Sequence, residues 1–317
     1  MSRIHEAIQK AAQERSATPA TDFARLPFDV ELTPERGLNS VAPASVIGCA
    51  TPVSTSASTS DEPLKFDDLQ RRCARPRWHP EPNSTIFSNP ALSTIGAEQF
   101  RTLRSRLYQV RSSQPLRTIL VTSAVAGEGK TFVVANLAEA IGRQRDRRVL
   151  MIDADLRASR LHLMVGASAA PGLSDYLRGD IDELAAIQSG QDSSLYLIPG
   201  GTKIANPSEL LSNGRLKKLL DRVASLFDWI LIDSPPCLPV ADANVVSNFC
   251  DALLFVVKAG STPAEIAQRA RHELEGRNVL GVVLNSVGEK GLGYGSYYNY
   301  KDHAQDPLKE STNRILD

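Results

Sequence analysis

Residues 117–142 read RTILVTSAVAGEGKTFVVANLAEAIG and carry the most informative pattern in the chain. An apolar run leads into a loop with glycines at 127 and 129, and helical sequence follows. This order of strand, glycine loop and helix is typical of a P-loop, in which backbone N–H groups and a helix N-terminus surround phosphate. The strict GxxxxGK[ST] pattern has glycine where this chain has Ala124, and methyl is the smallest possible intrusion there. We therefore predict a phosphate-binding loop over residues 124–131.

The residue types in this loop indicate a polyphosphate with a metal ion. Lys130 supplies a positive charge to the β- and γ-phosphates, and Thr131 offers a hydroxyl to Mg²⁺. We predict that the ligand is ATP, contacted by Ala126, Gly127, Glu128, Gly129, Lys130, Thr131 and Phe132.

Short apolar runs alternate with amphipathic segments from about residue 92 onward. This alternation predicts an α/β fold, with a mostly parallel sheet flanked by helices. The predicted strands are 117–123, 148–154, 194–200, 228–234, 252–258 and 279–285. The predicted helices are 97–110, 130–143, 207–227 with an interruption near 213–214, 241–249 and 263–277.

Carboxylates follow two of the predicted strands, where open α/β sheets place their ligands. VLMIDADLR carries Asp153 and Asp155, and WILIDSPP carries Asp233. Each alone could cap a helix or form a turn. Together they would repel one another unless a divalent cation lay among them. We therefore predict Mg²⁺ bound by Thr131, Asp155 and Asp233.

Composition excludes several classes of protein. The 317 residues contain 36 Lys plus Arg and 36 Asp plus Glu, so the formal net charge is zero. A protein that binds nucleic acid usually carries a positive charge, and we therefore do not expect nucleic acid as a partner. The four cysteines, at 49, 73, 237 and 250, have no CxxC spacing, which argues against a disulfide framework or a cysteine-based zinc site. We find neither a signal peptide nor an apolar stretch of about 18 residues, and expect a cytoplasmic protein.

The chain divides into four predicted regions. Residues 1–15 form a short amphipathic helix, and 16–91 are a disordered linker rich in Pro, Ser and Thr. Residues 92–288 form the P-loop domain, and 289–317 form a flexible tail. The tail has a cluster of tyrosines at Tyr294, Tyr297, Tyr298 and Tyr300.

The P-loop, IDADLR at 152–157 and IDSPP at 232–236 resemble the Walker A, Walker A′ and Walker B motifs of the bacterial tyrosine kinases. That family is tied to capsule and exopolysaccharide synthesis. The likeness covers about residues 95–300 and includes segments such as PGLSDYLRGD (171–180) and LPVADA (238–243).

The resemblance implies an ATP-dependent protein-tyrosine autokinase that regulates polysaccharide synthesis and export. Glu98, Arg101 and Arg104 match the family's ExxRxxR oligomerisation motif, although physics alone favours a solvated charged helix face. In a ring of subunits, the tail tyrosines would be phosphorylated in trans. The implied partners are further copies of the chain, a membrane chain-length regulator or polysaccharide co-polymerase that recruits it to the inner face of the membrane, and a tyrosine phosphatase.

The expected reaction transfers the γ-phosphoryl group of ATP to a phenol, with Lys130 and Mg²⁺ neutralising charge. Asp153 is our candidate for the base, but which of Asp153 and Asp155 is base and which is ligand stays open. Asn285 is a candidate adenine contact, with a capping role as the alternative. Two other functions remain: a Min/Par-type ATPase switch, and a non-catalytic ATP-binding subunit of a polysaccharide export complex.

Overall fold

The computed structural model describes residues 64–82, 84–88, 93–190 and 194–287. The predicted N-terminal helix and the tyrosine cluster lie outside these residues. The strands are β1 (Thr118–Ser123), β2 (Val149–Asp153), β3 (Gln188–Ser189), β4 (Leu195–Ile198), β5 (Trp229–Asp233), β6 (Ala252–Lys258) and β7 (Val279–Asn285). The helices are α1 (Phe66–Arg72), α2 (Ser93–Arg111), α3 (Lys130–Gly142), α4 (Leu161–Val165), α5 (Leu173–Arg178), α6 (Glu183–Ala186), α7 (Pro207–Ser212), α8 (Arg215–Val223), α9 (Asp242–Ser247) and α10 (Ala264–Glu273), with a 3₁₀ turn at Ile86–Ser88.

The seven strands form one sheet in the order β3-β4-β2-β5-β1-β6-β7. Every pair is parallel except β3 with β4. In the register, Asp233 of β5 lies opposite Asp153 of β2 on one side and Val121 of β1 on the other. The loops that follow β1, β2 and β5 therefore leave the sheet side by side, which brings the predicted motifs together.

Apolar side chains cover both faces of this sheet, because successive residues of a strand point to opposite sides. Ile119 and Trp229 pack on the face covered by α2 and α3, whereas Leu120 and Ile230 pack on the opposite face with α5 and α8. Burial on both faces requires apolar residues throughout each central strand. The predicted α/β fold is confirmed, and so is the break in the 207–227 helix, where α7 ends and α8 begins.

The linker prediction is wrong for part of its range. Residues 64–88 contain α1 and the 3₁₀ turn, and the side chain of Leu69 is fully buried in the core. Phe66, Leu69 and Cys73 have the i, i+3, i+7 spacing of a helix face, which was a usable signal within a Pro- and Ser-rich segment. The two-residue strand β3 was also missed, because two residues carry no periodicity.

Candidate nucleotide site

The P-loop, residues 124–129 between β1 and α3, leaves most of its backbone donors unused. Gly127 and Gly129 have φ values of 83° and 93°, a region that glycine enters without strain. Within the described part of the chain, the N–H groups of residues 126–131 donate to no protein acceptor. Six N–H groups at the start of a helix form a ready site for an anion.

Lys130 lies at the start of α3 and is only 7% exposed. No ion pair holds its ammonium among the residues that the structure describes. A nearly buried cation without a carboxylate partner is costly unless an anion completes the site. The position of Lys130 therefore fits a phosphate ligand, as the sequence predicts.

The side chain of Glu128 does not face the nucleotide side of the loop. It is 2% exposed, and its carboxylate accepts hydrogen bonds from Val125 N at 2.7 Å and Thr262 Oγ1 at 2.5 Å. Phe132 likewise turns inward, where its ring packs edge-on against Phe100 with centroids 6.1 Å apart. The prediction that these two residues contact ATP therefore applies to their backbone and not to their side chains.

Asn285 ends β7 beside the P-loop. Its Nδ2 donates to the carbonyl oxygen of Glu128 at 2.8 Å. A Cβ atom on residue 129 would lie 2.0 Å from this same nitrogen, so any other residue there would displace the Asn285 side chain. The structure thus gives Asn285 a role in holding the P-loop, and its contact with adenine stays a prediction.

Thr131 and Asp233 form the second part of the site. Thr131 Oγ1 donates to Asp233 Oδ2 at 2.6 Å, across the gap between α3 and the end of β5. The other carboxylate oxygen, Asp233 Oδ1, is buried without a hydrogen-bond partner among the described residues. Burial, followed by the charge of Asp153, raises the pKa of Asp233 well above its ordinary value. An orphaned carboxylate oxygen beside a hydroxyl is the hard donor set that Mg²⁺ prefers.

Asp153 organises the loop that follows β2, residues 154–160, which we call the A′ loop. Its Oδ2 accepts from Ser159 Oγ at 2.7 Å, Arg160 N at 3.0 Å and Leu161 N at 2.9 Å, and its Oδ1 accepts from Asp155 N at 3.2 Å. Burial raises the pKa of Asp153 to about 6. Both oxygens are thus engaged inside the protein.

The sequence predicts Mg²⁺ held by Thr131, Asp155 and Asp233, which are one hydroxyl and two carboxylates. Across the described ranges, no three His, Cys, Asp or Glu side chains converge closely enough to hold a metal ion. Asp153 does not add a third carboxylate to this set, because both of its oxygens accept hydrogen bonds from the A′ loop. Asp155 is half-buried, and its Oδ1 accepts from Ala158 N at 3.0 Å. Mg²⁺ is commonly held by one or two carboxylates plus phosphates and water, and the smaller set around Thr131 satisfies that need.

Arg157, also in the A′ loop, makes a contact that the sequence analysis missed. Its Nε donates to Asp242 Oδ2 at 2.7 Å and its guanidinium also reaches Ser208 Oγ at 2.9 Å. Asp242 is fully buried at the start of α9, so this ion pair ties the A′ loop to α9 and α7. An arginine in IDADLR and an aspartate in LPVADA were the available signals, but nothing in their spacing pairs them.

The ExxRxxR residues on α2 divide into two groups. Glu98 and Arg101 form an exposed ion pair, with about half of each side chain open to solvent. Arg104 turns inward, and its guanidinium donates to the carbonyl oxygen of Ala140 in α3. The exposed surface of the motif is therefore narrower than the sequence suggests.

No helix in the described ranges has the length and apolar character needed to cross a membrane.

Comparisons with known proteins agree with this geometry. A family model described as an AAA domain matches residues 116–264, which contain the P-loop, the A′ loop and Asp233. Tyrosine-protein kinase YwqD of Bacillus subtilis is 32% identical over 213 residues, covering 66% of this chain and 89% of that protein. Tyrosine-protein kinase wzc of Salmonella typhi is 35% identical over 217 residues, but this chain spans only 30% of its length.

A solved structure shows the same likeness. The kinase domain of Escherichia coli tyrosine kinase ETK matches with a TM-score of 0.62 at 33% identity, over 69% of this chain and 86% of that chain. Both the sequence and the fold are thus shared with tyrosine kinases over the region that carries the site. The chain belongs to the family of bacterial tyrosine-protein kinases.

Proposed function

We propose that this chain transfers the γ-phosphoryl group of ATP to tyrosines of its own tail, in trans within a homo-oligomer. The observation that carries the proposal is the phosphate cradle: six unused N–H groups, with the nearly buried Lys130 beside them. A polyphosphate ligand would satisfy both. The family supplies the acceptor, since its named relatives are tyrosine kinases.

Thr131 and Asp233 would hold Mg²⁺, and Asp155 would reach it through water. When bound, the ion supplies positive charge to the β- and γ-phosphates. Lys130 and the free N–H groups orient the phosphates and stabilise charge on the transferring oxygens. Positioning of this kind contributes most of the rate in phosphoryl transfer.

The tyrosine hydroxyl must lose its proton during transfer, and the A′ loop offers two carboxylates. Asp153 is fully buried with four donors on its oxygens, whereas Asp155 is half-buried and, among the described residues, accepts a hydrogen bond only at Oδ1. We therefore assign proton acceptance to Asp155 and the anchoring of the A′ loop to Asp153. This reverses the role that the sequence suggested for Asp153.

The acceptor tyrosines would be Tyr294, Tyr297, Tyr298 and Tyr300, which follow β7 by nine to fifteen residues. β7 ends at the P-loop, where Asn285 contacts Glu128. Glu98 and Arg101 on α2 would join neighbouring subunits. The wider role would be control of exopolysaccharide or capsule synthesis, with a membrane co-polymerase as activator and a tyrosine phosphatase to reset the tail.

A mixing experiment tests transfer and its geometry together. Lys130→Met, which has acceptors but no transfer, is incubated with a variant in which all four tail tyrosines are Phe, plus Mg²⁺ and γ-labelled ATP. We expect label on the tyrosines of Lys130→Met, with neither variant labelled alone. Label in the wild type that does not appear in the mixture would indicate transfer in cis.

Other outcomes separate the rival functions. ATP hydrolysis without tyrosine label would indicate a Min/Par-type switch, and nucleotide binding with neither activity would indicate a non-catalytic subunit. Glu98→Ala/Arg101→Ala tests the oligomer by sedimentation, with the exposed Gln109→Ala on the same helix as control. We expect the double variant alone to lose the oligomer and its trans labelling.

A further inference from the structure

The turn between β6 and α10, residues 258–263, contacts the P-loop although no sequence motif joins them. Thr262 Oγ1 donates to Glu128 Oε1 at 2.5 Å, and Lys258 N approaches the same oxygen at 3.4 Å. On the other side of the carboxylate, Glu128 Oε2 accepts from Val125 N at 2.7 Å. Glu128 thus bridges the first part of the P-loop and a turn that lies 134 residues away in sequence.

This bridge is buried. Thr262 is 6% exposed and Glu128 is 2% exposed, so water cannot replace either partner readily. The turn is also closed on itself, because Thr262 N donates to the carbonyl oxygen of Lys258 at 3.1 Å. The Thr262 hydroxyl is therefore presented to Glu128 by a preformed element.

A carboxylate in a phosphate-binding loop poses an electrostatic problem. If the Glu128 side chain turned toward the cradle, its charge would repel phosphate and its oxygens would compete for the free N–H groups. The observed contacts hold it on the opposite side of the loop. Among the described residues, Thr262 has the only side-chain hydroxyl that donates to the Glu128 carboxylate.

We infer that Thr262 is a positioning residue for nucleotide binding, whose hydroxyl keeps the Glu128 carboxylate out of the phosphate cradle and so preserves the shape of the P-loop. The inference rests on the proposed function only in taking ATP as the ligand of this loop. It adds a residue from outside the Walker motifs to the binding machinery.

The test uses the full chain with Thr262→Val, which keeps the shape but removes the hydroxyl, and Thr262→Ser, which restores it. Affinity for Mg²⁺ and a fluorescent ATP analogue is measured by titration, and KM and kcat by tyrosine labelling. We expect Val to raise the dissociation constant and KM about tenfold, with kcat changed by less than about threefold. Ser, and Ser261→Ala in the same turn, should stay within about twofold of wild type.

A double-mutant cycle tests the mechanism itself. If Thr262 acts by restraining Glu128, then Thr262→Val should change the dissociation constant by less than about twofold when Glu128 is already Ala. An undiminished effect in that background would overturn the inference. So would a wild-type dissociation constant for Thr262→Val, or a lower thermal midpoint and kcat with affinity unchanged.

The failure of the proposed function gives a different result. Wild-type protein that binds the analogue but labels no tyrosine would refute the kinase proposal, while the dissociation constants would still decide the role of Thr262. Wild-type protein that binds no ATP analogue would overturn both. If Thr262→Val does not fold, Thr262→Ala replaces it in the cycle, both alone and in the Glu128→Ala background.

Discussion

The P-loop and the A′ loop leave the same edge of the sheet, and in each a buried carboxylate organises the backbone. The two loops differ in how many of their backbone N–H groups remain free to bind a ligand. Glu128 takes one N–H group of the P-loop, from Val125, and those of residues 126–131 stay free. Asp153 takes three N–H groups of the A′ loop and its surroundings, from Asp155, Arg160 and Leu161.

This difference assigns the two loops different chemistry. Free N–H groups bind anions, so the P-loop can hold phosphate through its backbone. In the A′ loop only three N–H groups, those of Leu156, Arg157 and Ser159, have no acceptor among the described residues, half as many as in the P-loop. We therefore expect this loop to act chiefly through the side chain of Asp155. Changes in the P-loop should therefore act on ATP affinity, and changes in the A′ loop on kcat.

The largest effect is expected for Gly129→Ala. The substitution strains a residue with φ of 93° and places a Cβ atom 2.0 Å from Asn285 Nδ2, so the Asn285 side chain must move and its hydrogen bond to the P-loop is lost. We expect the dissociation constant for ATP to rise by more than about 100-fold, measured by titration calorimetry. Gly127→Ala is the matched control, because its φ is 83° but no atom lies within 4 Å of the added Cβ. Gly127→Ala should raise the dissociation constant for ATP about tenfold. Equal increases for the two variants would show that the contact with Asn285 has no effect on ATP binding.

Arg157→Ala removes the cation that pairs with the fully buried Asp242. Breaking a buried pair costs about 3–5 kcal/mol, but the Arg157 side chain is 41% exposed, so we expect a loss of about 2 kcal/mol in the free energy of unfolding in urea. Because the A′ loop loses its tie to α9, kcat should fall about tenfold while ATP affinity stays within about threefold. Arg157 also donates from its guanidinium to Asp242 Oδ1 at 3.2 Å, and Arg157→Lys keeps the charge but not this pair of hydrogen bonds. Its stability and kcat should lie between those of the wild type and Arg157→Ala. If Arg157→Ala changed only the ATP affinity, the expected division of roles between the P-loop and the A′ loop would be wrong.

Asp153→Asn should alter the pH dependence of stability without nucleotide. Because the folded pKa of about 6 lies above 3.8, protonation stabilises the fold at low pH, and this contribution is lost as pH rises through 6. In the wild type we expect this group to lower the free energy of unfolding by about 2 kcal/mol between pH 4.5 and pH 7.5. The Asn variant should lack it, as measured by urea unfolding at both pH values. Parallel pH profiles for the two proteins would show that Asp153 is not the source.

Ser159→Ala should have the smallest effect. It removes one of the donors to Asp153 Oδ2, but the N–H groups of Arg160 and Leu161 remain. We expect a loss of about 1 kcal/mol in unfolding free energy and about threefold in kcat, with ATP affinity unchanged. A loss as large as that of Arg157→Ala would mean that the hydroxyl, and not the backbone, holds the A′ loop.

Sequence reasoning located the fold and the motifs because both depend on short-range patterns. The strand, glycine loop and helix around Lys130 lie within 26 residues, 117–142. The strand-end positions of Asp153 and Asp233 followed from apolar runs that a doubly covered sheet requires. Helix α1 was missed because its few apolar residues lie in a segment whose composition indicates disorder.

The sequence by itself determined the sheet, the P-loop and the family, since local hydrophobic patterns and glycine spacing encode them. Only the tertiary structure decided which way the side chains of Glu128, Asn285 and Asp153 turn. Each forms its hydrogen bonds with whatever donors and acceptors the fold brings near, and Thr262 reaches Glu128 from 134 residues away. A buried polar group must find a partner, and nothing in its own segment of sequence names that partner.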